Sequence, residues 1–175
     1  MAVGVRAPDG ATTIRATMPD RAPLWRCPEC GHELVGRNMS HSCGIYDLDH
    51  HFAGKPAAVR ALFDRLVERA RRLGPFKVES QKTRIVFQVR VRFAAVMPRR
   101  HGLRGHLWLT RPAPGAPVVR IERLLPGCSI HHFLVQREDQ IEALLPRLRE
   151  AYAVGEQRHL DGRRPAPRRR RPKEA

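Results

Sequence analysis

The sequence holds little that would place it in a membrane or outside a cell. No run of 18 or more apolar residues occurs, so nothing in it is expected to span a bilayer. The first residues, MAVGVRAPDGATTIRATMPD, contain no apolar stretch of the kind a secretory signal needs, so a cytoplasmic setting is expected. Aromatic residues make up only 6%, too few for the base-stacking platform of single-strand binding proteins. Lysine is scarce, at four of 33 basic residues, the other 29 being arginine. There is no P-loop, no G-x-G-x-x-G, no H-E-x-x-H and no G-x-S-x-G, and no pair of carboxylates at a spacing that demands acid–base work. No reaction is therefore legible, and the chain reads as more binding protein than enzyme, an enzyme of unrecognised class staying open.

What is present begins with charge. The net charge is +16 over 175 residues. Residues 158–175 carry eight basic and two acidic residues, and residues 1–20 carry two of each, which leaves +10 on residues 21–157. A body that is basic in its own right suits a polyanionic partner, with nucleic acid first. The arginine bias beside abundant Ala, Pro and Gly is also what a skewed base composition would give, and a run of charge is often only a solvated face. Lys82, Arg84, Arg90, Arg92, Arg99 and Arg100, with Arg104 beside them, are the candidate polyanion contacts of the body, since guanidinium groups bind phosphates bidentately. Arg168, Arg169, Arg170 and Arg171, with Lys173, are the candidates of the tail, as a clamp indifferent to sequence.

Three of the four cysteines crowd together. Cys27-Pro-Glu-Cys30-Gly is a C-x-x-C turn, and His41-Ser-Cys43-Gly supplies a second half. Residues two apart on an extended strand share a face, so His41 and Cys43 are expected to reach a common point. In a reducing compartment this clustering argues for metal over disulfides. Cys27, Cys30, His41 and Cys43 offer three sulfurs and one nitrogen, a set suited to tetrahedral Zn²⁺. A filled shell of four leaves no position for water, so the zinc would be structural. Trp25 and Val35 would back it. His32, His50 and His51 are rival ligands, and metal-free or redox-active cysteines are the alternatives. Cys128 stands alone beside His131 and His132; with no orienting acid in view, a core cysteine with one histidine turned inward and one outward is the simpler reading than an activated nucleophile.

Element signals divide the rest. Residues 1–22 read as a flexible leader, 23–45 as the knuckle, 46–157 as an α+β domain and 158–175 as a disordered Arg-rich tail. Val59, Leu62, Phe63, Leu66, Val67 and Ala70 recur on one helix face, opened by Pro56 and stopped at Gly74-Pro75. Ile85, Phe87, Val89, Val91 and Phe93 alternate with more polar neighbours, as one long strand or two joined near Arg90. Leu103–Thr110, Val118–Leu125 and Ser129–Val135 are further strands. A second helix is expected over about 138–154, with a kink or late start at Pro146. The sum is helix, a meandering antiparallel sheet of about five strands, helix.

The segments LWRCPECGHELVGRNMSHSCG, FAGKPAAVRALFDRL, KTRIVFQVRVRFAAVMPRR, HLWL, HHF and LREAYAVGEQ resemble the bacterial family catalogued as domain of unknown function 5655, from Leu24 to Leu160. The resemblance implies a compact α+β domain in a bacterial, cytoplasmic protein, with the C-x-x-C and H-S-C pieces on Cys27, Cys30, His41 and Cys43. It brings no activity and no catalytic residues. A basic binding protein with a structural zinc site is thus the first reading. The second is a small-molecule or regulatory domain with a pocket near Lys82, Arg84 and His132.

Overall fold

A computed structural model describes residues 22–161 apart from 38, 40 and 42. The leader expected over 1–22 lies outside the described residues but for Ala22. The expected tail is described only to Asp161, so Arg168–Arg171 and Lys173 also lie outside them.

The chain opens with two short strands, β1 (Trp25–Arg26) and β2 (Glu33–Leu34), paired antiparallel around the first cysteines. A single 3-10 turn, Asp49–His51, leads to helix α1 (Ala57–Arg71). Pro56 caps its start with φ −58°, where its missing N–H leaves nothing unpaired. Six strands follow: β3 (Lys77–Ser80), β4 (Ile85–Gln88), β5 (Arg92–Arg99), β6 (Gly102–Leu109), β7 (Val118–Leu125) and β8 (Cys128–Val135). Helix α2 (Glu138–Gly155) closes the domain, and Arg158–Leu160 adds one 3-10 turn.

The architecture is the expected α+β one, corrected in two respects. The sheet has six strands, not about five. Its order is β3-β4-β5-β6-β8-β7, so it does not meander to its end: β8 inserts between β6 and β7. The long alternating run is two strands, β4 and β5, turning at Val89–Val91. Helix α2 runs through Pro146 rather than starting after it. Pro146 is exposed, so the carbonyl that loses its partner faces water while Ile141, Leu144 and Leu148 stay in the core.

One face of the sheet carries both helices. Ile85, Phe87, Val96, Leu103, Leu107, Phe133 and Val135 point to that side. There they meet Leu62, Phe63 and Leu66 of α1 and Ile141, Leu144 and Leu148 of α2 in one core. Each such side chain contributes about 1.5–3 kcal/mol by leaving water. The tightest contact is at Gly105. A Cβ there would stand 2.2 Å from Phe133 Cζ and 2.5 Å from the Ala95 carbonyl oxygen. The alternate residues, Val86, Ala95, Arg104, His106 and His132, point to the opposite face, which no helix among the described residues covers. The two-stranded N-terminal piece docks on this open face, where the Gln88 side chain donates to the Glu33 carbonyl at 3.0 Å and Lys77 meets Glu33 at 2.6 Å.

Candidate metal centre and the open sheet face

The Cys27–Cys30 turn is built by main-chain bonds. Gly31 N–H donates to the Cys27 carbonyl, and Cys27 N–H to the His32 carbonyl, each at 2.9 Å. Gly31 sits at φ +73°, a backbone state that a residue with a Cβ adopts only at a cost, which accounts for Gly after Cys30. The turn aims the N–H groups of Cys30 and Glu29 at the Cys27 sulfur, and the Cys30 bond does most to hold that thiol down, to about 6.

His41 and Cys43 come to the same point from the other side, though from a loop rather than the strand expected of them. The ligand atoms of Cys27, Cys30, His41 and Cys43 all lie within 4.8 Å of one another. Cys27 and Cys43 sulfurs are 3.5 Å apart, and Cys43 Sγ is 3.5 Å from His41 Nε2. Ordinary zinc bond lengths in a tetrahedron put two sulfurs about 3.8 Å apart and a sulfur and nitrogen about 3.5 Å apart, so the donors already have the size of such a shell. The distance is far from a disulfide, and all four cysteines are free. His41 Nδ1 donates to the Met39 carbonyl at 3.1 Å, which fixes the tautomer and leaves the Nε2 lone pair free to bind a metal. The Cys43 thiol is pushed up to about 12, first by its hydrogen bond to Cys27. Converging thiolates repel, so the group calls for a cation at its centre.

The rival ligands sort cleanly. His51 is buried and bonded to Ser80 Oγ at 3.0 Å, and His50 beside it is exposed. His32 stays close without joining the four. Its Nδ1 is 2.9 Å from Cys30 Sγ and its Nε2 is 3.6 Å from Glu79 Oε2, so the ring bridges a ligand sulfur and a carboxylate of the sheet. Trp25 lies beside the cluster, its ring 6.3 Å from that of His41. The apolar backing comes from Leu34, 2% exposed, and not from Val35, which is 51% exposed.

The basic candidates part company. Arg90 is spent inside the chain, on Gln157 Oε1 at 2.7 Å and on the Ala22 carbonyl. Arg92 is half-buried beside the knuckle. Lys82, Arg84, Arg99, Arg100 and Arg104 are exposed. Arg84 immediately precedes β4 in the register opposite Met97, and Met97 pairs with Arg104. Arg99, Arg104 and Arg120 line one shallow groove of about 200 Å³ with His132. Arg120 meets Glu122, and His132 Nε2 lies 3.4 Å from the same carboxylate. Among the described residues, no carboxylate lies within ion-pairing reach of Arg84, Arg99 or Arg104. The helix side differs. Arg60 meets Asp49 and Asp64, Arg65 meets Glu68 and Glu138, Arg69 meets Glu142, and Arg72 meets Glu68.

Of the two histidines beside Cys128, His131 turns inward and His132 to the open face, as the simpler reading expects, while Cys128 itself is half-buried rather than in the core. His131 is fully buried, and its Nε2 accepts the Ala113 N–H at 2.8 Å, a bond that anchors the β6–β7 connection. His106 was not singled out by the sequence. It is 8% exposed on the open face, 4.6 Å from the Trp108 ring, and burial first, then Arg84, drops its pKa to about 4. Its only sequence signal is the i, i+2 spacing from Arg104 and to Trp108. No helix among the described residues is long and apolar enough to cross a membrane.

Comparison with curated proteins and with solved structures finds no match. A family model does match, over a span narrower than the Leu24–Leu160 that the resemblance implies and starting beyond the knuckle. With its two helices on a six-stranded sheet inside the matched residues 48–155, the chain belongs to the family described as Domain of unknown function (DUF5655).

Proposed function

We propose that this is a binding protein whose open sheet face holds a polyanion, nucleic acid first, and whose N-terminal piece is fixed in place by a structural zinc ion. One observation carries the first half: Arg60, Arg65 and Arg69 of α1 and Arg72 just past its end are paired with carboxylates, while Arg84, Arg99 and Arg104 on the opposite side of the sheet are not. Composition bias would scatter arginine over both sides alike. It does not explain why Arg84, Arg99 and Arg104 are left without a carboxylate while four arginines of the helix side have one. Exposed arginines without partners keep their forks available for phosphate oxygens.

The zinc half rests on the donor set. Three sulfurs and one imidazole nitrogen favour Zn²⁺ over the hard oxygen-seeking cations, and four protein donors leave no coordination position for a substrate. Such an ion would order a segment whose two strands have two residues each and cannot hold themselves.

The test is a titration of the full chain against labelled duplex DNA, single-stranded DNA and RNA at several salt concentrations. Binding should weaken as salt rises. Joint replacement of Arg84, Arg99 and Arg104 by Ala should lower the logarithmic salt slope by about one unit for each phosphate no longer held. Replacing Arg60, Arg65 and Arg72 should leave it unchanged. Equal losses from both triples would overturn the open-face reading. Binding that vanishes only when residues 162–175 are removed would assign the interaction to the tail instead.

A further inference from the structure

A cleft of about 350 Å³ separates the knuckle from the sheet. Leu34, Val35 and Met39 form the knuckle wall, Trp108 and Leu109 the sheet wall, and Val154 comes from the end of α2. The lining is mainly apolar, and the volume falls within the range of small-molecule sites, about 300–1,000 Å³. Into this setting the chain places Arg92; Glu33, whose carboxylate is held by Lys77 at 2.6 Å, and His159 also line the cleft.

Its surroundings are unusual for an arginine. Nε and Nη2 of Arg92 are shut off from solvent and have no acceptor among the described residues. A buried guanidinium without acceptors is costly, and chains avoid it unless something supplies the oxygens. The nearby acid does not serve. Glu79 lies on the same face, but its Oε2 is 3.6 Å from His32 and no oxygen of it comes within ion-pairing distance of Arg92. The cleft therefore combines a mainly apolar box with a planar cation at its wall that no carboxylate among the described residues pairs with.

We propose that this cleft binds a small carboxylate with an apolar body, its carboxylate group against the guanidinium of Arg92 and its body between Leu34, Met39 and Trp108. A planar carboxylate matches two neighbouring N–H donors of one guanidinium face. The apolar walls exclude ligands that are charged along their length, which sets this site apart from the solvated arginines Arg84, Arg99 and Arg104. It also removes Arg92 from the polyanion face, because a half-buried fork beside the knuckle is out of reach of a phosphate backbone. The inference does not rest on the proposed function. One wall belongs to the knuckle, so occupancy would report on whether the knuckle is seated.

Calorimetry of the full chain with butanoate, hexanoate and octanoate tests it, with octylamine and octanol as counter-probes. Affinity should climb about fourfold for each added methylene. Octylamine should fail to bind, and octanol should bind more weakly than octanoate. Arg92→Gln should weaken octanoate by about 10- to 100-fold, with Arg92→Lys in between because it keeps the charge and loses the fork. Should Arg92→Gln not fold, Val35→Trp gives the second arm. Val35 is half-exposed on the knuckle wall, so the larger ring should fill the cleft and abolish octanoate binding while circular dichroism stays unchanged. Equal affinity for octanoate and octylamine would overturn the proposal, as would octanoate binding untouched by both variants. DNA binding is unaffected by either result, so the two readings fail separately.

Discussion

The side-chain amide of Gln88 donates to the main-chain carbonyl of Glu33 at 3.0 Å, across 55 positions of sequence, and joins the last residue of β4 to β2 of the knuckle. Gln88 is 1% exposed, so this bond is shielded from competing water. Its removal leaves a carbonyl facing an apolar gap. Gln88→Ala should cost about 1–3 kcal/mol in urea unfolding. The more exposed Lys77–Glu33 pair beside it should cost under about 1 kcal/mol when Lys77 becomes Ala.

Metal removal should undo the knuckle and spare the domain. The core of the sheet and helices contains none of the four donors. Treatment with a strong chelator should lower the melting temperature and shift the emission of Trp25, with helical circular dichroism retained. Cys27→Ser should do the same without chelator, and metal analysis of that variant should show substoichiometric zinc. A chelated protein with unchanged melting and unchanged emission would remove the ion from the account.

Acid should destabilise the chain through histidines that are buried neutral. Burial lowers the pKa of His51, His106 and His131, the middle one to about 4. An unfolded imidazole titrates near 6.5. Between those values the unfolded chain binds protons that the folded chain refuses, so stability rises with pH through the window and is lost as pH falls from about 6.5 toward 4. Protonation of the metal donors works in the same direction. The urea midpoint should fall from pH 7 to pH 5, and His106→Gln should flatten that slope without abolishing it. An unchanged slope in His106→Gln would mean that His106 is not the neutral, buried group its surroundings imply.

Gly105 tests the packing of β6 between its neighbours β5 and β8. A methyl group there has nowhere to go, since both the Phe133 ring and the Ala95 carbonyl stand inside contact distance. Gly105→Ala should destabilise by about 1–3 kcal/mol in thermal melts. Gly127→Ala, with open space around its Cβ but φ +75°, should cost less, through backbone strain alone.

Where the sequence spoke through periodicity, it was readable. The apolar stripe of α1, the alternation in β4 and β5, and the strands β6 and β8 all follow from residues that bury one face, whereas the edge strand β7 buries none of its residues and was legible from its composition alone. The missed strand, β3, reads KVES and has no apolar alternation to show; it is a strand because β4 offers it a partner. The insertion of β8 between β6 and β7 is a long-range pairing choice that no local pattern encodes. The four donors were legible because metal ligands must be specific residue types at short spacing. The cleft was not. It is made by Leu34, Trp108 and Val154, ordinary apolar residues that only the docking of the knuckle brings together. Arg92 reads in the sequence as one more solvated arginine, because nothing local announces its burial.

The β6-β8-β7 order has a consequence for a chain emerging from the ribosome. Once residues 77–109 have left the exit tunnel, four strands can pair, yet the amides and carbonyls along the free side of Leu103–Leu109 must wait until Cys128–Val135 is made. Until then the nascent sheet presents an unprotected margin next to its most apolar strands. Translation pausing shortly after residue 110 should therefore be the moment at which this protein is most prone to stick to its neighbours.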